Sequence, residues 1–269
     1  MSADKKVAVI IPFYKDSLTA YESIALQQCF KVLSGHPIIA IKPQKLVLPG
    51  EITTYAFFDA VSFDDAYFDN VQGYNRLMLD DAFYREFLAY EYILIYQLDA
   101  FVFKDELLDW CNMNIDYVGA PWIKPHDYPD TIKAVKSKLQ YYFHTRYNIQ
   151  KDGLPTDQQF AYKVGNGGFS LRRTEKFHDI CLSHPEKIAA YNSNDNHLFN
   201  EDIFWSVEVN RKRKILNIPS YKTGLKFSIE FCPERALMIN NNQLPFGCHA
   251  WDLYLDFWRP VFKALGYEV

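Results

Sequence analysis

The chain has 269 residues, of which 49% are hydrophobic, 17% are aromatic and 23% are charged. This composition supplies a large core and excludes a disordered protein, and the net charge of −4 argues against non-specific binding to nucleic acid. No run of about 18 apolar residues occurs, so we predict no membrane-spanning helix.

The first part of the chain is expected to alternate strands with helices. The β-branched run Val7–Ile11 predicts a strand buried on both faces, and Ser17 is expected to cap the helix that follows. Pro37–Ile41 and Thr53–Phe58 are predicted as the second and third strands. This strand, helix, strand order predicts right-handed crossovers and a mostly parallel sheet.

The remaining elements are interrupted by one polar segment. They are a helix at Tyr74–Tyr90, strands at Tyr92–Tyr96 and Asp116–Ala120, and a helix at Phe199–Val209. Residues 124–160 are polar, and we interpret them as an insertion over one rim of the sheet. Because there is no internal repeat and no linker, we predict a single α/β domain that covers residues 1–269.

The cysteines and the aromatic residues add to this outline. The five cysteines are widely spaced and include no Cys-x-x-Cys pair, so we expect buried thiols in a reducing, cytoplasmic compartment. The aromatic residues fit either a tyrosine-rich core or a cleft lined by rings, of the kind that binds sugars or bases.

Two segments are suited to bind a ligand near the predicted sheet. Asp99 directly follows a hydrophobic strand, where open α/β sheets place their ligands, although an aspartate there can also cap the next turn. Three of the four residues at 165–168 are glycines, which allow a ligand to approach the backbone closely or simply form a tight turn.

Two further segments carry groups that transfer protons or bind metals. Glu201 and Asp202 open a predicted helix, where the helix dipole favours carboxylates and where one carboxylate can also serve as a general base. His249 lies in a loop beside Trp251. It has either a structural role or, together with Asp99, forms an oxygen-and-nitrogen site for Mn²⁺ or Mg²⁺.

Taken in order, these segments resemble the motifs of GT-A fold, nucleotide-sugar-dependent glycosyltransferases, especially the β-1,4-galactosyltransferase type. The matching segments are Ile11-Pro12-Phe13-Tyr14, Tyr74-Asn75-Arg76, Gln97-Leu98-Asp99, Gly167-Gly168-Phe169-Ser170, Asn200-Glu201-Asp202 and His249. The chain also resembles an uncharacterised bacterial glycosyltransferase-like family through its Asn-Gly-Gly-Phe-Ser-Leu-Arg block at 166–172. The resemblance implies a single GT-A (Rossmann-like) domain with a mostly parallel sheet flanked by helices.

The resemblance also implies roles for individual residues. The expected contacts to the nucleotide-sugar donor are Pro12, Phe13, Tyr14, Arg76, Gln97, Leu98, Asp99, Gly167 and Gly168. Asp99 and His249 are the expected ligands of Mn²⁺ or Mg²⁺, and Asp202 is the expected general base. The expected acceptor contacts are Glu201, Trp205 and Trp251. Two positions depart from the family pattern, since Gln97 replaces an aspartate and Tyr14 replaces an arginine.

We therefore predict an inverting glycosyltransferase of polysaccharide biosynthesis that moves a sugar from a UDP-linked donor to a glycan or lipid-linked glycan. One alternative is a sugar nucleotidyltransferase, which needs a glycine-rich loop after the first strand, whereas residues 12–16 contain no glycine. The other is a non-catalytic glycan-binding protein. The basic run Arg211–Lys214 predicts either peripheral contact with the inner face of a membrane or a solvated helix end.

Overall fold

A computed structural model describes residues 5–48, 50–57, 59–126, 128 and 130–269. Its strands are β1 (Lys5–Pro12), β2 (Ile38–Pro43), β3 (Asp59–Phe63), β4 (Tyr90–Tyr96), β5 (Phe101–Val102), β6 (Tyr117–Val118), β7 (Gln150–Lys151), β8 (Leu154–Pro155), β9 (Phe169–Arg173), β10 (Ser228–Ile229) and β11 (Gly247–Cys248). Its α-helices are α1 (Ala20–Leu33), α2 (Gly50–Thr53), α3 (Val71–Met78), α4 (Asp81–Arg85), α5 (Leu107–Asn112), α6 (Thr131–Tyr147), α7 (Thr174–Ser183), α8 (Pro185–Asn192), α9 (Glu201–Ile203), α10 (Tyr221–Phe227), α11 (Pro233–Ile239) and α12 (Leu255–Ala264).

The central sheet has six strands in the order β3-β2-β1-β4-β9-β6. Neighbours from β3 to β4 are parallel, whereas β9 runs antiparallel to both β4 and β6. This arrangement confirms the mostly parallel sheet expected from the strand, helix, strand order. A smaller sheet with the order β10-β11-β5 and a β7-β8 hairpin complete the pairing of the described strands.

The core lies on both faces of the central sheet. Alternate residues of β1 point to opposite faces, so Val9 packs in a cluster with α1, while Ile10 packs with the aromatic residues of α4 and α7. All of β1 from Val7 onward is buried, as the continuous β-branched run predicted. A third cluster joins the small sheet to α12.

The cap of α1 is Thr19, not Ser17. The Thr19 side chain accepts a hydrogen bond from the backbone nitrogen of Glu22, whose carboxylate accepts one from the Thr19 nitrogen in return. Ser17 has Ala20 three residues later and cannot form this reciprocal capping box, which explains the later helix start.

The third strand also begins later than predicted. Residues Gly50–Thr53 form α2, and the strand covers Asp59–Phe63, whereas we predicted it at Thr53–Phe58. Phe58 itself lies outside the described residues. Because β3 is at the edge of the sheet and its residues are exposed or half-buried, its hydrophobic pattern is weak.

The helix predicted at Tyr74–Tyr90 is two helices, α3 and α4. They are separated because the Asp80 side chain accepts a hydrogen bond from the Ala82 nitrogen at 2.9 Å and caps a new helix. The helix predicted at Phe199–Val209 is a 3₁₀ turn, the short α9 and a π-helical segment at Phe204–Glu208.

Arg211 does not belong to a solvated basic run. It is 7% exposed, and its guanidinium donates to Glu208 Oε2 at 2.6 Å and to Gln159 Oε1 at 2.7 Å. Only Lys212–Lys214 are exposed, so the four basic residues of the sequence do not form one surface. None of the helices in the described ranges is long and apolar enough to cross a membrane.

Candidate active site

A cleft of about 530 Å³ opens at the edge of the central sheet where β1 and β4 end and β9 begins. Parallel strands present their carboxyl ends at this edge, which is where open α/β sheets bind ligands. The cleft is lined by Tyr14, Phe68, Asp69, Asn70, Val71, Tyr74, Asn75, Gln97, Asn166, Gly167, Gly168, Asn200, Glu201, Asp202, Glu230 and His249.

The small sheet brings His249 and Glu230 to this cleft. Cys248 pairs with Phe101 on one side and with Ile229 on the other, so the residues that follow β10 and β11 reach the loop between β4 and β5. Asp99 lies in that loop. Residues that are 150 positions apart in sequence therefore meet at one point.

The His249 imidazole is the centre of a polar cluster. Its Nε2 atom lies 3.1 Å from Asp99 Oδ1 and 3.4 Å from Gln97 Oε1. Its Nδ1 atom lies 2.9 Å from the Asn166 side-chain nitrogen and 3.2 Å from Glu230 Oε1. Asn166 is itself fixed, because its Oδ1 accepts a hydrogen bond from a backbone nitrogen of β9.

The charges in this cluster are coupled. Burial lowers the pKa of His249, but the carboxylates of Asp99 and Glu230 outweigh burial and raise that pKa to about 10. Burial likewise raises the pKa of Asp99, and the neighbouring imidazolium outweighs it and holds that pKa below its usual range. The cluster therefore holds one positive charge between two carboxylates.

Once His249 has released its proton, the same atoms fit a divalent cation, whose charge replaces that of the imidazolium. No three His, Cys, Asp or Glu side chains converge for a metal within the described part of the chain, but the Gln97 amide oxygen supplies a third donor beside Asp99 and His249. Ligands at about 2.1 Å from an octahedral ion lie about 3 Å apart, which matches the observed separations. Asp99 Oδ1 is buried and lies 3.1 Å from His249 Nε2, and a cation bound between the two side chains would take the place of that ion pair.

Gly167 and Gly168 provide space for the polar side chains around them. A Cβ atom on Gly167 would lie 2.0 Å from Glu201 Oε1, and one on Gly168 would lie 2.0 Å from His249 Nε2. Neither glycine has a positive φ, whereas Asn166, the residue before them, has a φ of 76°. The glycines thus line the cleft and are required by close packing rather than by a turn.

Glu201 is part of a buried ion pair. It is 2% exposed, and its Oε1 lies 2.9 Å from an Arg172 guanidinium that is fully buried. Arg172 also donates to the Tyr84 hydroxyl and to Ser170 Oγ. Arg172 therefore pairs with one oxygen of the Glu201 carboxylate, whereas Oε2 has no hydrogen-bond partner among the described residues. Glu201 also lines the cleft, and the acceptor contact expected for it stays a prediction beside this structural role.

Asp202, the next residue along the chain, also lines the cleft. Its side chain is half-buried, and Oδ1 accepts a hydrogen bond from the Ile203 nitrogen at 2.8 Å. Burial, followed by the nearby carboxylates of Glu201 and Glu230, raises the pKa of Asp202 to about 7. A carboxylate with this pKa is suited to take up a proton at neutral pH.

Asn75 holds the start of α9 in place. Its side-chain oxygen accepts from the Glu201 nitrogen at 3.2 Å, and its side-chain nitrogen donates to Asn200 Oδ1 at 3.0 Å. Sequence analysis assigned no role to Asn75, Asn166 or Glu230. Asn75 and Asn166 lie inside quoted motifs that mark them as candidates, whereas Glu230 follows a two-residue strand and has no such signal.

The residues predicted to contact the donor are only partly brought together. Tyr14, Gln97, Gly167 and Gly168 line the cleft. Leu98 and Asp99 line a neighbouring cleft of about 500 Å³, which meets the first at the Asp99–His249 pair.

Three of the predicted donor residues lie elsewhere. Pro12 is buried in β1, and Phe13 is 2% exposed and packs edge-on against Phe57, so both form the floor beneath the loop that carries Tyr14. Arg76 lines a separate pocket with Asp80, because it is one helix position after Asn75 and points away from the cleft.

The two predicted acceptor tryptophans differ from each other. Trp205 is fully buried, with its ring centre 4.2 Å from that of Phe177, so it belongs to the core and cannot contact an acceptor. Trp251 also has a buried ring, packed against Tyr21, but it lines the neighbouring cleft beside Asp99.

Solved structures show what this fold is similar to. Core-mannan synthase A (CmsA/Ktr4) from Aspergillus fumigatus, in its Mn/GDP form, matches 81% of this chain and 73% of its own with a TM-score of 0.52 and 11% identity. The WbbM bifunctional glycosyltransferase, in its apo form, matches 91% of this chain but only 46% of its own (TM-score 0.48, 13% identity). Mouse xyloside xylosyltransferase 1, also in its apo form, matches 91% of this chain and 97% of its own (TM-score 0.47, 10% identity). The likeness to the mannan synthase shows that the two proteins share a fold.

A search of curated proteins found no match. Residues 57–249 match the model of a family described as "Protein of unknown function (DUF5672)". This range covers most of the chain and contains Gln97, Asp99, the glycine block, Asp202 and His249. The chain therefore belongs to the DUF5672 family.

Proposed function

We propose that this protein is a glycosyltransferase that moves a sugar from a nucleoside diphosphate sugar to a hydroxyl group of a glycan. One observation carries the proposal: Gln97 and His249, which together with Asp99 of the neighbouring cleft form a set of cation ligands, line the same cleft as a carboxylate, Asp202, whose pKa is raised to about 7. The shared fold with a mannan synthase supports the same assignment.

The charge of the cleft supports a cation-dependent donor. Its lining includes the carboxylates of Asp69, Glu201, Asp202 and Glu230 but, among the described residues, no lysine and no arginine. The charged imidazole of His249 is already paired with Asp99 and Glu230, so these carboxylates would repel a diphosphate unless further positive charge is added. A divalent cation held by Asp99, His249 and Gln97 would supply that charge and stabilise the diphosphate leaving group. Mn²⁺ and Mg²⁺ both accept such oxygen and nitrogen ligands.

Asp202 is the proposed general base. It would take the proton from the acceptor hydroxyl as that oxygen attacks the anomeric carbon, and the diphosphate would leave from the opposite face. This displacement inverts the anomeric configuration. A pKa near the working pH gives a base that is largely ionised and still basic enough to accept the proton.

The neighbouring cleft is the proposed acceptor side. Tyr21 and Trp251 line it together with Asp99, Glu22 and Asp252. Aromatic rings and carboxylates are the groups that pack against sugar rings and bind their hydroxyls. The attacking hydroxyl would lie at Asp202 in the first cleft, and the rest of the glycan acceptor would extend into this neighbouring cleft.

Release of nucleoside diphosphate from a panel of UDP- and GDP-linked sugars tests the proposal. With Mn²⁺ and a glycan acceptor, we expect one donor to be turned over and the product to have the inverted anomer by NMR. Retention of configuration would remove the base role of Asp202. Release of pyrophosphate from a nucleoside triphosphate and a sugar phosphate would identify the protein as a nucleotidyltransferase. Glycan binding without turnover of any donor would identify it as a glycan-binding protein.

A further inference from the structure

The helix α6 presents its apolar residues to solvent. Six large side chains of this helix are exposed: Ile132 (82%), Val135 (53%), Leu139 (54%), Tyr142 (59%), Phe143 (48%) and Tyr147 (63%). A surface helix normally turns such residues toward the core. The first three also line a shallow apolar depression on the surface of the protein.

These residues form one continuous stripe. The side of α6 that packs on the protein contains Ala134, Ser137, Tyr141 and Thr145, at helical spacing, and its contacts include a hydrogen bond of 3.0 Å from Thr145 to the Gln159 carbonyl. At about 100° per residue, the six exposed residues lie around the opposite side of the helix. We call this surface the apolar stripe of α6; from Ile132 to Tyr147 it is about 22 Å long.

Positive charge flanks the stripe. The helix contains Lys133, Lys136, Lys138 and Arg146 and no acidic residue, in a chain whose net charge is −4. Lys136 and Lys138 lie on opposite sides of the stripe. Arg146 donates a hydrogen bond to the Arg211 carbonyl, which places the exposed Lys212–Lys214 near the end of the helix. The capping Asp130 at the start of the helix lies 4.0 Å from Lys133.

We propose that the apolar stripe of α6 docks the protein on an anionic lipid bilayer. An amphipathic helix with apolar and aromatic residues on one face and lysines along its edges lies in the headgroup region, with lysines at the lipid phosphates and tyrosines at the interface. The stripe is a raised helix face rather than a groove, which suits a flat lipid surface.

The positive charge of α6 argues against a second copy of the chain as the partner that binds the apolar stripe. Two copies paired through this stripe would bring Lys136 and Lys138 of each copy close to those of the other, with no acidic residue of α6 to offset them. An anionic bilayer offsets the same charges. The inference is separate from the proposed glycosyl transfer, since the surface lies outside the cleft and its test needs no donor.

Cosedimentation with lipid vesicles tests the inference. The full chain should bind vesicles that contain phosphatidylglycerol and should not bind phosphatidylcholine vesicles. Ile132→Ser/Leu139→Ser should weaken binding at least about tenfold, because two apolar anchors are lost. Lys136→Gln/Lys138→Gln should weaken it about fivefold per lysine, and the effect should diminish as salt rises.

The control variant is Val47→Ser/Leu182→Ser, which removes two equally exposed apolar residues outside α6 and should bind like the wild type. All variants should keep the wild-type melting temperature, because the altered side chains are exposed. Absence of binding to anionic vesicles, or unchanged binding by Ile132→Ser/Leu139→Ser, would overturn the inference. A lipid-free dimer in sedimentation velocity that Ile132→Ser/Leu139→Ser dissociates would also overturn it, by showing that the stripe is a self-interface.

Discussion

Glu201 and Asp202 are neighbours in sequence, but the structure gives their carboxylates different environments. Both residues line the cleft, but successive helix residues point about 100° apart, so the Glu201 carboxylate pairs with the buried Arg172 while Asp202 Oδ1 accepts a hydrogen bond from the Ile203 nitrogen. Arg172 pairs directly with Glu201, whereas at Asp202 burial and the carboxylates of Glu201 and Glu230 outweigh Arg172 and raise the pKa to about 7. Of these two neighbours, we therefore expect Asp202 to accept the proton from a bound hydroxyl.

Asp202→Asn should lower kcat by about 10²- to 10⁴-fold, the usual contribution of a general base. Donor binding should persist, because the amide keeps the size of the side chain. Steady-state kinetics with donor and acceptor varied would measure both effects. Asp179→Asn, at an exposed aspartate of α7, is the matched control and should behave like the wild type. A variant at Asp202 with undiminished kcat would exclude this residue as the base.

The pKa of Asp202 also predicts a pH profile. Because the base must be ionised, kcat/KM of the wild type should fall as the pH drops below about 7 and should level off above it. Asparagine does not titrate, so the residual activity of Asp202→Asn should lose this limb of the profile. A wild-type profile that stays flat from about pH 5 to pH 8 would contradict the assignment, since it would place the pKa near that of an ordinary aspartate.

At the scale of elements, β9 and the residues before it support the whole site. Gly167 and Gly168 leave space for Glu201 and His249, and Arg172, four residues further along, holds Glu201 from below. The glycine block at 165–168, which the sequence suggested as a ligand-binding loop, therefore also allows the side chains of the site to pack closely.

Gly168→Ala should disrupt the candidate cation site. The added methyl group would overlap His249 Nε2 at 2.0 Å and Gln97 Oε1 at 2.6 Å, so the imidazole must move. We expect Mn²⁺-dependent nucleotide binding to weaken by at least about tenfold, since overpacking typically costs 1–3 kcal/mol. Gly35→Ala is the control, because nothing lies within 4 Å of its added methyl group. Wild-type affinity in Gly168→Ala would place the nucleotide or the cation elsewhere.

Glu201→Gln should act on stability rather than on acceptor KM. It leaves the Arg172 guanidinium buried without its counter-charge, and removal of one partner from a buried ion pair costs about 3–5 kcal/mol. Urea unfolding would measure the loss. Arg173→Gln, the matched control, removes ion pairs that are only partly buried and should cost less. If Glu201→Gln instead leaves stability unchanged and raises acceptor KM, the original acceptor role of Glu201 is correct.

Sequence patterns predicted the elements that are buried on both faces and missed those governed by single side chains. The run of β1 and the strand β4 were predicted correctly, because continuous apolar residues have few other structures available. The break between α3 and α4 depends on one capping aspartate, Asp80, and the edge strand β3 has little burial to mark it. A local hydrogen bond sets the first boundary and weak burial hides the second, and hydrophobic periodicity reveals neither of them.

At the scale of the whole molecule, the order of motifs located the site, but their orientation required the fold. Asp99 and His249 were expected to meet, and the small sheet brings them to 3.1 Å. Whether Asn75 or Arg76 faces the cleft depends on helix rotation, and the burial of Trp205 depends on packing with α7. Neither property is encoded in a short motif, so the motifs predicted ligand contacts for Arg76 and Trp205, which the fold places outside the cleft.

The charge of the whole molecule is distributed in a way that fits the proposed activity. The cleft is lined by carboxylates, and α6, which lies outside it, contains only basic charges. We therefore expect an anionic donor to need a bound cation at the cleft, and an anionic surface to be attracted to a different part of the protein. This separation allows nucleotide binding and lipid binding to be measured independently.

Isothermal titration calorimetry of UDP and GDP, with and without Mn²⁺, tests the central claim most directly. We predict that one of the two nucleotides binds the wild type only when Mn²⁺ is present, and that Asp99→Asn and His249→Ala abolish this heat. Asp105→Asn is the matched control, because it removes a similar aspartate–histidine contact of 3.1 Å to His36 outside the cleft, and it should bind like the wild type. Metal-independent nucleotide binding, or full binding by Asp99→Asn and His249→Ala, would contradict a cation-bound donor in this cleft.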